Sequence, residues 1–136
     1  MDDIEAIKQL KARYFRTMDT KDWSGMRQVF TDDVVMDTTA SGGGVVSGAD
    51  AFLEFLQQTL ADAVTVHQGH MPEITLTSAT TATGVWALHD DIVWPDGTRM
   101  QGDGHYHEAY ALVDGEWRIA SSTLTRLRMD LAGPGS

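Results

Sequence analysis

The sequence predicts an α+β fold, in which a curved antiparallel or mixed sheet wraps as a cone around helices from the N-terminal half. Three observations carry that expectation. Up to Leu60, apolar residues recur mostly at helical spacing. From Val64 onward, long runs of strand-type residues replace them. Pro95-Asp96-Gly97 and Asp114-Gly115 then mark hairpin turns between those runs. Helices followed by an antiparallel meander place the helices on one face of a sheet. A sheet of this kind can close around its helices with one end open.

The first helix is marked by Ile4, Ile7, Leu10, Lys11, Tyr14, Phe15 and Met18, with charged residues between them. Asp2 and Glu5 resemble a capping box at its start. A second short helix is expected to carry Trp23, Met26, Val29 and Phe30 on one face, with Thr31-Asp32-Asp33 breaking it. Val34-Val35-Met36-Asp37 is a short strand candidate, and Ser41-Gly42-Gly43-Gly44 reads as a mobile loop. Ser47 is expected to cap a third helix that buries Phe52, Phe55, Leu56 and Leu60. The strand through His67 follows. Three long strands are then expected at about Ala82 to Trp94, Arg99 to Val113 and Glu116 to Met129. No internal repeat is present. One domain over 1–131 and a flexible tail over 132–136 are expected.

Composition narrows the function classes. A chain of 136 residues suits one domain with one core. The formal net charge of −10 argues against nucleic-acid binding, because phosphate contacts need a basic surface. The chain has no cysteine, hence no disulfide, thiol nucleophile or thiolate metal site. No apolar run reaches the ~18 residues needed to span a membrane. Met1-Asp2-Asp3 is acidic where a secretory signal would be basic, and a cytoplasmic protein is the expectation.

Four residues are candidates to converge on one pocket: Tyr14, Asp19, His67 and Asp90. Tyr14 and Asp19 are five apart, about 140° around a helix axis, and so flank the apolar stripe. Tyr14 also suits a core aromatic with a polar tip, and Asp19 also suits the turn into Thr20-Lys21-Asp22. His67 shares a strand face with Gly69 and Met71, and Gly69 leaves open space beside it. A histidine serves as a general base near neutral pH when a carboxylate orients it. Asp90 falls on the apolar face of Gly84, Trp86 and Leu88, where an unpaired carboxylate would be costly. His105 and His107 share a face of the next strand, and either could line the pocket. His89 is expected outside, near Asp90 and Asp91. Arg126 and Arg128 share a face of the last strand and could hold an oxyanion or pair with an acid. No spacing matches a zinc motif such as His-Glu-x-x-His, so no metal is expected.

The run Tyr14-Phe15-Arg16-Thr17-Met18-Asp19 resembles a known family, as do His67-Gln68-Gly69-His70-Met71-Pro72-Glu73-Ile74 and Gly84-Val85-Trp86-Ala87-Leu88-His89-Asp90. Gly115-Glu116-Trp117-Arg118-Ile119 and Leu124-Thr125-Arg126-Leu127-Arg128 extend the likeness toward the C-terminus. Together they are similar to SnoaL-like proteins of the nuclear-transport-factor-2-like (cystatin-like) superfamily, over Ile4 to Met129. The resemblance implies a cone-shaped barrel with a deep apolar pocket. The bile-acid 7α-dehydratase type uses a tyrosine, two aspartates, a histidine and an arginine. The first four carry over at uniform spacing to Tyr14, Asp19, His67 and Asp90. The arginine does not keep its spacing; Arg126 is the choice and Arg128 the alternative. Hexachlorocyclohexane dehydrochlorinase similarly matches at Asp19 and His67. Scytalone dehydratase has a comparable first histidine, and its second would correspond to His107.

These relatives imply a cofactor-independent lyase, a dehydratase acting on an apolar cyclic alcohol such as a steroid, terpenoid or polyketide. His67, oriented by Asp19, would take the proton and Tyr14 would donate to the substrate oxygen. Asp90 would position His67 or the substrate, and Arg126 would stabilise negative charge or pair with an acid. Phe15, Met71, Trp86 and His107 are the expected substrate contacts. An isomerase or polyketide cyclase would use the same pocket, and a non-catalytic module that binds a hydrophobic ligand is the rival from another class. Relatives form dimers or trimers, and the outer sheet face favours a homo-oligomer.

Overall fold

A computed structural model describes residues 2–134, so Gly135 and Ser136 of the expected tail lie outside the described residues. Helix α1 spans Asp3–Asp19. Asp2 starts it, its carboxylate accepting the Glu5 backbone N–H at 2.8 Å. The apolar stripe buries Ile7, Leu10, Tyr14 and Met18. The helix ends in a Schellman turn: Asp22 N–H donates to Thr17 and Lys21 N–H to Met18. Lys21 takes the left-handed position, at φ 61°, that glycine usually fills.

Helix α2 is shorter than expected, Trp23–Arg27. Phe30 does not extend it but opens strand β1, Phe30–Asp37, and Thr31-Asp32-Asp33 lies inside that strand. The reason is tertiary. Phe30 pairs in parallel with Ile119, and Ile119 N–H donates to the Val29 carbonyl at 2.8 Å. A remote strand thus takes backbone groups that another helical turn would have used. The supposed mobile loop is also tied down. After a short 3-10 turn, Thr39–Ser41, the Gly43 N–H returns to the Thr38 carbonyl, and Thr38 N–H bonds to Gly44.

Strand β2, Val45–Ser47, was not anticipated, and Ser47 ends it instead of capping a helix. Gly48 occupies the cap position at φ 97°, a conformation open to glycine, and its N–H donates to Val34 in β1. Helix α3, Ala49–Leu60, then buries Phe52, Leu56 and Leu60. Four long strands follow: β3 Val64–Leu76, β4 Thr81–Val93, β5 Arg99–Val113 and β6 Glu116–Ala132. The last of these runs one residue into the segment expected to be tail.

The six strands form one sheet in the order β2-β1-β6-β5-β4-β3. All neighbours are antiparallel except β1 and β6, so the sheet is mixed. Irregular register interrupts β3 against β4 between His70 and Glu73, and β5 against β6 between Asp103 and Gly104. Such irregularities bend a sheet and re-aim side chains. At Gly104 the Thr125 carbonyl occupies the space a Cβ would need, so only glycine fits that bend. The concave face packs on α1 and α3. Phe30 joins the layers through edge-to-face contacts with Phe52, 5.5 Å between centroids, and Tyr14, 6.0 Å.

Candidate functional site

The end of α1 brings Asp19 against the start of β3. One carboxylate oxygen lies 2.7 Å from His67 Nδ1, and the other accepts the His67 backbone N–H at 2.8 Å. Thr65 Oγ1 also donates to Asp19, and Lys21 Nζ donates to Thr65, each near 2.8–2.9 Å. The left-handed Lys21 is thereby part of the support behind the histidine. A carboxylate on Nδ1 favours the tautomer with Nδ1 protonated. That leaves Nε2 as the lone-pair nitrogen of a residue that lines a cavity.

The cavity holds about 280 Å³. Tyr14, His67, Asp90 and Arg126 all border it, so four of the five expected catalytic residues meet there, with Asp19 one bond behind His67. Its walls are apolar: Met18, Phe52, Phe55, Leu56, Ile92 and Met100 are among them. Ser41 and Gly42, from the 3-10 turn and the residue after it, also line it.

Asp90 sits beside His67, since the two are paired across β3 and β4. It is not free to orient the histidine, because Arg126 holds both its oxygens, at 2.8 and 2.9 Å. Arg126 Nε donates to Ser41 Oγ at 3.0 Å, so the guanidinium is committed on three sides. The pair is almost wholly enclosed, with side chains 8% and 4% exposed. Arg128 faces out and meets Asp103 at 2.6 Å. The two arginines do not share a face, because the irregular register at Asp103/Gly104 leaves Leu127 as an extra residue between them. Gly102 lies under the pair: a Cβ there would run into the Arg126 guanidinium and come within 2.9 Å of Asp90. Gly102→Ala is expected to destabilise the protein by about 1–3 kcal/mol, read from urea unfolding.

The expected substrate contacts are displaced from the cavity. Met71 has φ 43° in the His70–Glu73 irregularity and is 87% exposed, because the strand alternation that would have turned it inward is broken there. His107 lies on the outer face, where Nε2 meets Thr125 Oγ1 at 3.0 Å. Trp86 is buried beneath the floor and donates to the Tyr110 hydroxyl. Phe15 and Trp86 fill the space beside Gly69; a Cβ on Gly69 would approach the Phe15 ring to 2.6 Å. The gap beside His67 is therefore packed with side chain and not left open for ligand. His89 pairs with Asp103 on the outer face.

Two features were missed in the sequence. Tyr106 borders the cavity beside Tyr14, their rings edge to face at 5.9 Å. The phenol of Tyr14 is held far above its ordinary range by burial, and then by the charge of Glu108. Burial and Tyr14 act likewise on Tyr106. Both stay protonated at neutral pH and are donors. The second feature is a fully buried ion pair, Lys11 Nζ to Glu108 Oε2 at 2.8 Å. Its signals were a lysine inside the apolar stripe of α1 and an acid on the same face of β5 as Tyr106 and Tyr110. Among the described residues, no group of three His, Asp or Glu is arranged to hold a metal ion.

Residues 1–123 match the sequence profile of the SnoaL-like domain. The chain belongs to the SnoaL-like domain family. Solved structures share the SnoaL-like architecture along almost the whole chain. A provisionally assigned aromatic ring hydroxylase from Novosphingobium aromaticivorans is 25% identical with a TM-score of 0.87, covering 98% of this chain and 96% of its own. A type 2 hexachlorocyclohexane dehydrochlorinase is 18% identical, TM-score 0.83, covering 97% and 94%. A provisionally assigned scytalone dehydratase from Novosphingobium aromaticivorans is also 18% identical, TM-score 0.82, covering 93% and 85%. The nuclear-transport-factor-2-like cone expected for this SnoaL-like chain is the fold observed.

Proposed function

We propose that this SnoaL-like protein is a cofactor-independent lyase that dehydrates an uncharged cyclic β-hydroxyketone, an alcohol whose carbonyl carbon and hydroxyl-bearing carbon flank one acidic carbon. The observation that carries the proposal is the Asp19–His67 contact of 2.7 Å behind a small apolar cavity that two phenols also border. His67 Nε2 takes the proton from the carbon between carbonyl and hydroxyl. The C–H electron pair becomes the new π bond, and the C–O pair leaves with the oxygen. Tyr14 donates a hydrogen bond to the carbonyl or to that leaving oxygen. The Arg126–Asp90 pair shapes the wall and keeps its charges paired. The names of two similar structures, a dehydrochlorinase and a dehydratase, denote eliminations, while a third denotes a hydroxylase.

The cavity also narrows the substrate. At about 280 Å³ it lies just below the ~300–1,000 Å³ typical of ligand pockets, which favours one or two rings over a four-ring steroid. Arg126 is the one lysine or arginine on its lining among the described residues, and it is already paired, so a carboxylate substrate would find no free cation.

A panel of one- and two-ring β-hydroxyketones tests this, with the ultraviolet absorbance of the conjugated enone as readout. Conversion with loss of water is the expected result. A shifted double bond with no water lost would make the protein an isomerase. Binding without any conversion would leave a ligand-binding module and overturn the lyase reading.

A further inference from the structure

We propose that the Lys11–Glu108 ion pair is a positioning device for Tyr14 and Tyr106, placing the positive end of a buried ion pair behind both phenols as they donate to the substrate's leaving oxygen. The inference rests on the reading of the cavity as the active site. Lys11 is fully buried, and its ammonium lies 3.8 Å from the ring centroid of Tyr14 and 3.6 Å from that of Tyr106. Phe15 stands next to it at 5.0 Å. One cation thus touches the faces of both phenols that border the cavity.

Glu108 keeps the cation there. Its Oε2 accepts from Lys11 and from Ser122 Oγ, each at 2.8 Å. Its Oε1 accepts from the Tyr110 hydroxyl, which in turn accepts from Trp86 Nε1. Every described partner of the carboxylate donates to it, so neither member of the pair can turn away without stranding a buried charge. A buried ion pair is weak evidence of stabilisation, because apolar replacements of equal volume often serve as well. The stacking on two cavity phenols supplies a use that stability does not.

The charges near the phenols otherwise oppose proton donation. Glu108 and Asp90 both disfavour a tyrosinate at either ring, and Asp19 does so at Tyr14. Lys11 offsets them. A cation on a ring face is attracted to a neutral phenol and more strongly to a phenolate, so it favours the donated state over the resting one. In the elimination, the departing oxygen takes the proton of Tyr14 or Tyr106 and leaves as water. The resulting tyrosinate recovers a proton from the His67 imidazolium through that water, which returns both groups to their starting forms.

The test compares an anionic and an uncharged nitroarene, 4-nitrophenolate and nitrobenzene, binding to the wild-type protein and to Lys11→Met/Glu108→Gln. The double substitution removes both charges together and leaves no lone buried ion. The wild-type protein should bind both probes. In the double variant, nitrophenolate affinity should fall about tenfold while nitrobenzene affinity stays within about twofold. A merely structural pair would move both affinities together, and that result, or an unchanged ratio, overturns the proposal. Nitrobenzene binding without nitrophenolate binding to the wild type also overturns it. Failure of both probes would overturn the active-site reading as well. Should the double variant not fold, ¹⁵N spectra of lysine in the wild-type protein decide. A charged Lys11 ammonium that shifts when nitrophenolate binds supports the device, and a neutral amine or an unmoved signal refutes it.

Discussion

His67→Ala is expected to lower turnover by about 10²–10⁴-fold, the usual contribution of a positioned general base, without unfolding the protein. The fold should survive because the loss is local. Asp19 keeps the hydroxyl of Thr65 and the backbone N–H of residue 67, so its carboxylate is not left without donors. The missing ring enlarges a cavity that is already present, and the expected stability cost is about 1–3 kcal/mol. The check is steady-state turnover on whichever β-hydroxyketone the wild-type protein converts, beside a thermal melt of the same sample. Added imidazole should restore part of the rate, because it can occupy the vacated space and reach Asp19. Turnover within tenfold of wild type in a folded variant would show that another group takes the proton. Asp19→Asn should act in the same direction, because an amide no longer enforces protonation at Nδ1 and Nε2 then loses its role as acceptor.

Arg126→Leu should have the largest effect on stability, about 3–5 kcal/mol, because it strands the buried Asp90 carboxylate. For a chain of this size that corresponds to a fall in Tm on the order of 10–20 °C. Asp90→Leu/Arg126→Leu should be milder than Arg126→Leu alone, since no unpaired charge remains. A double-mutant cycle on urea unfolding measures the difference directly. Equal losses in the single and double variants would mean that Asp90 is solvated or otherwise paired once Arg126 is gone. The cavity wall would change as well, because Ser41 loses the Arg126 Nε donor that ties the 3-10 turn to β6.

Much of this site was legible because two kinds of pattern are local. Helical periodicity put Tyr14 and Asp19 at the C-terminal end of α1, and strand alternation put Asp90 on an apolar face; both are fixed by backbone geometry. The misplacements share one cause. Counting in twos along a strand puts Met71 on the face of His67 and Arg128 on that of Arg126, and an irregular register interrupts each count. Such an interruption is decided by the neighbouring strand, so nothing in the local run of residues announces it. His107 failed for a related reason. The alternation was right, but it was Tyr106 and Glu108 whose parity faced the helices.

The order of the long elements and the extents of the long strands follow from the chain itself, because propensity, turn chemistry and periodicity act over a few residues. Tertiary structure decided what depends on distant partners. It moved Phe30 from helix to strand by pairing it with Ile119. It turned Arg126 inward onto Asp90 and Arg128 outward onto Asp103. It also brought Lys11 and Glu108 together across 97 positions of sequence. Burying a charge is tolerable only when its counter-charge arrives with it, and that meeting exists only once the sheet has closed on α1.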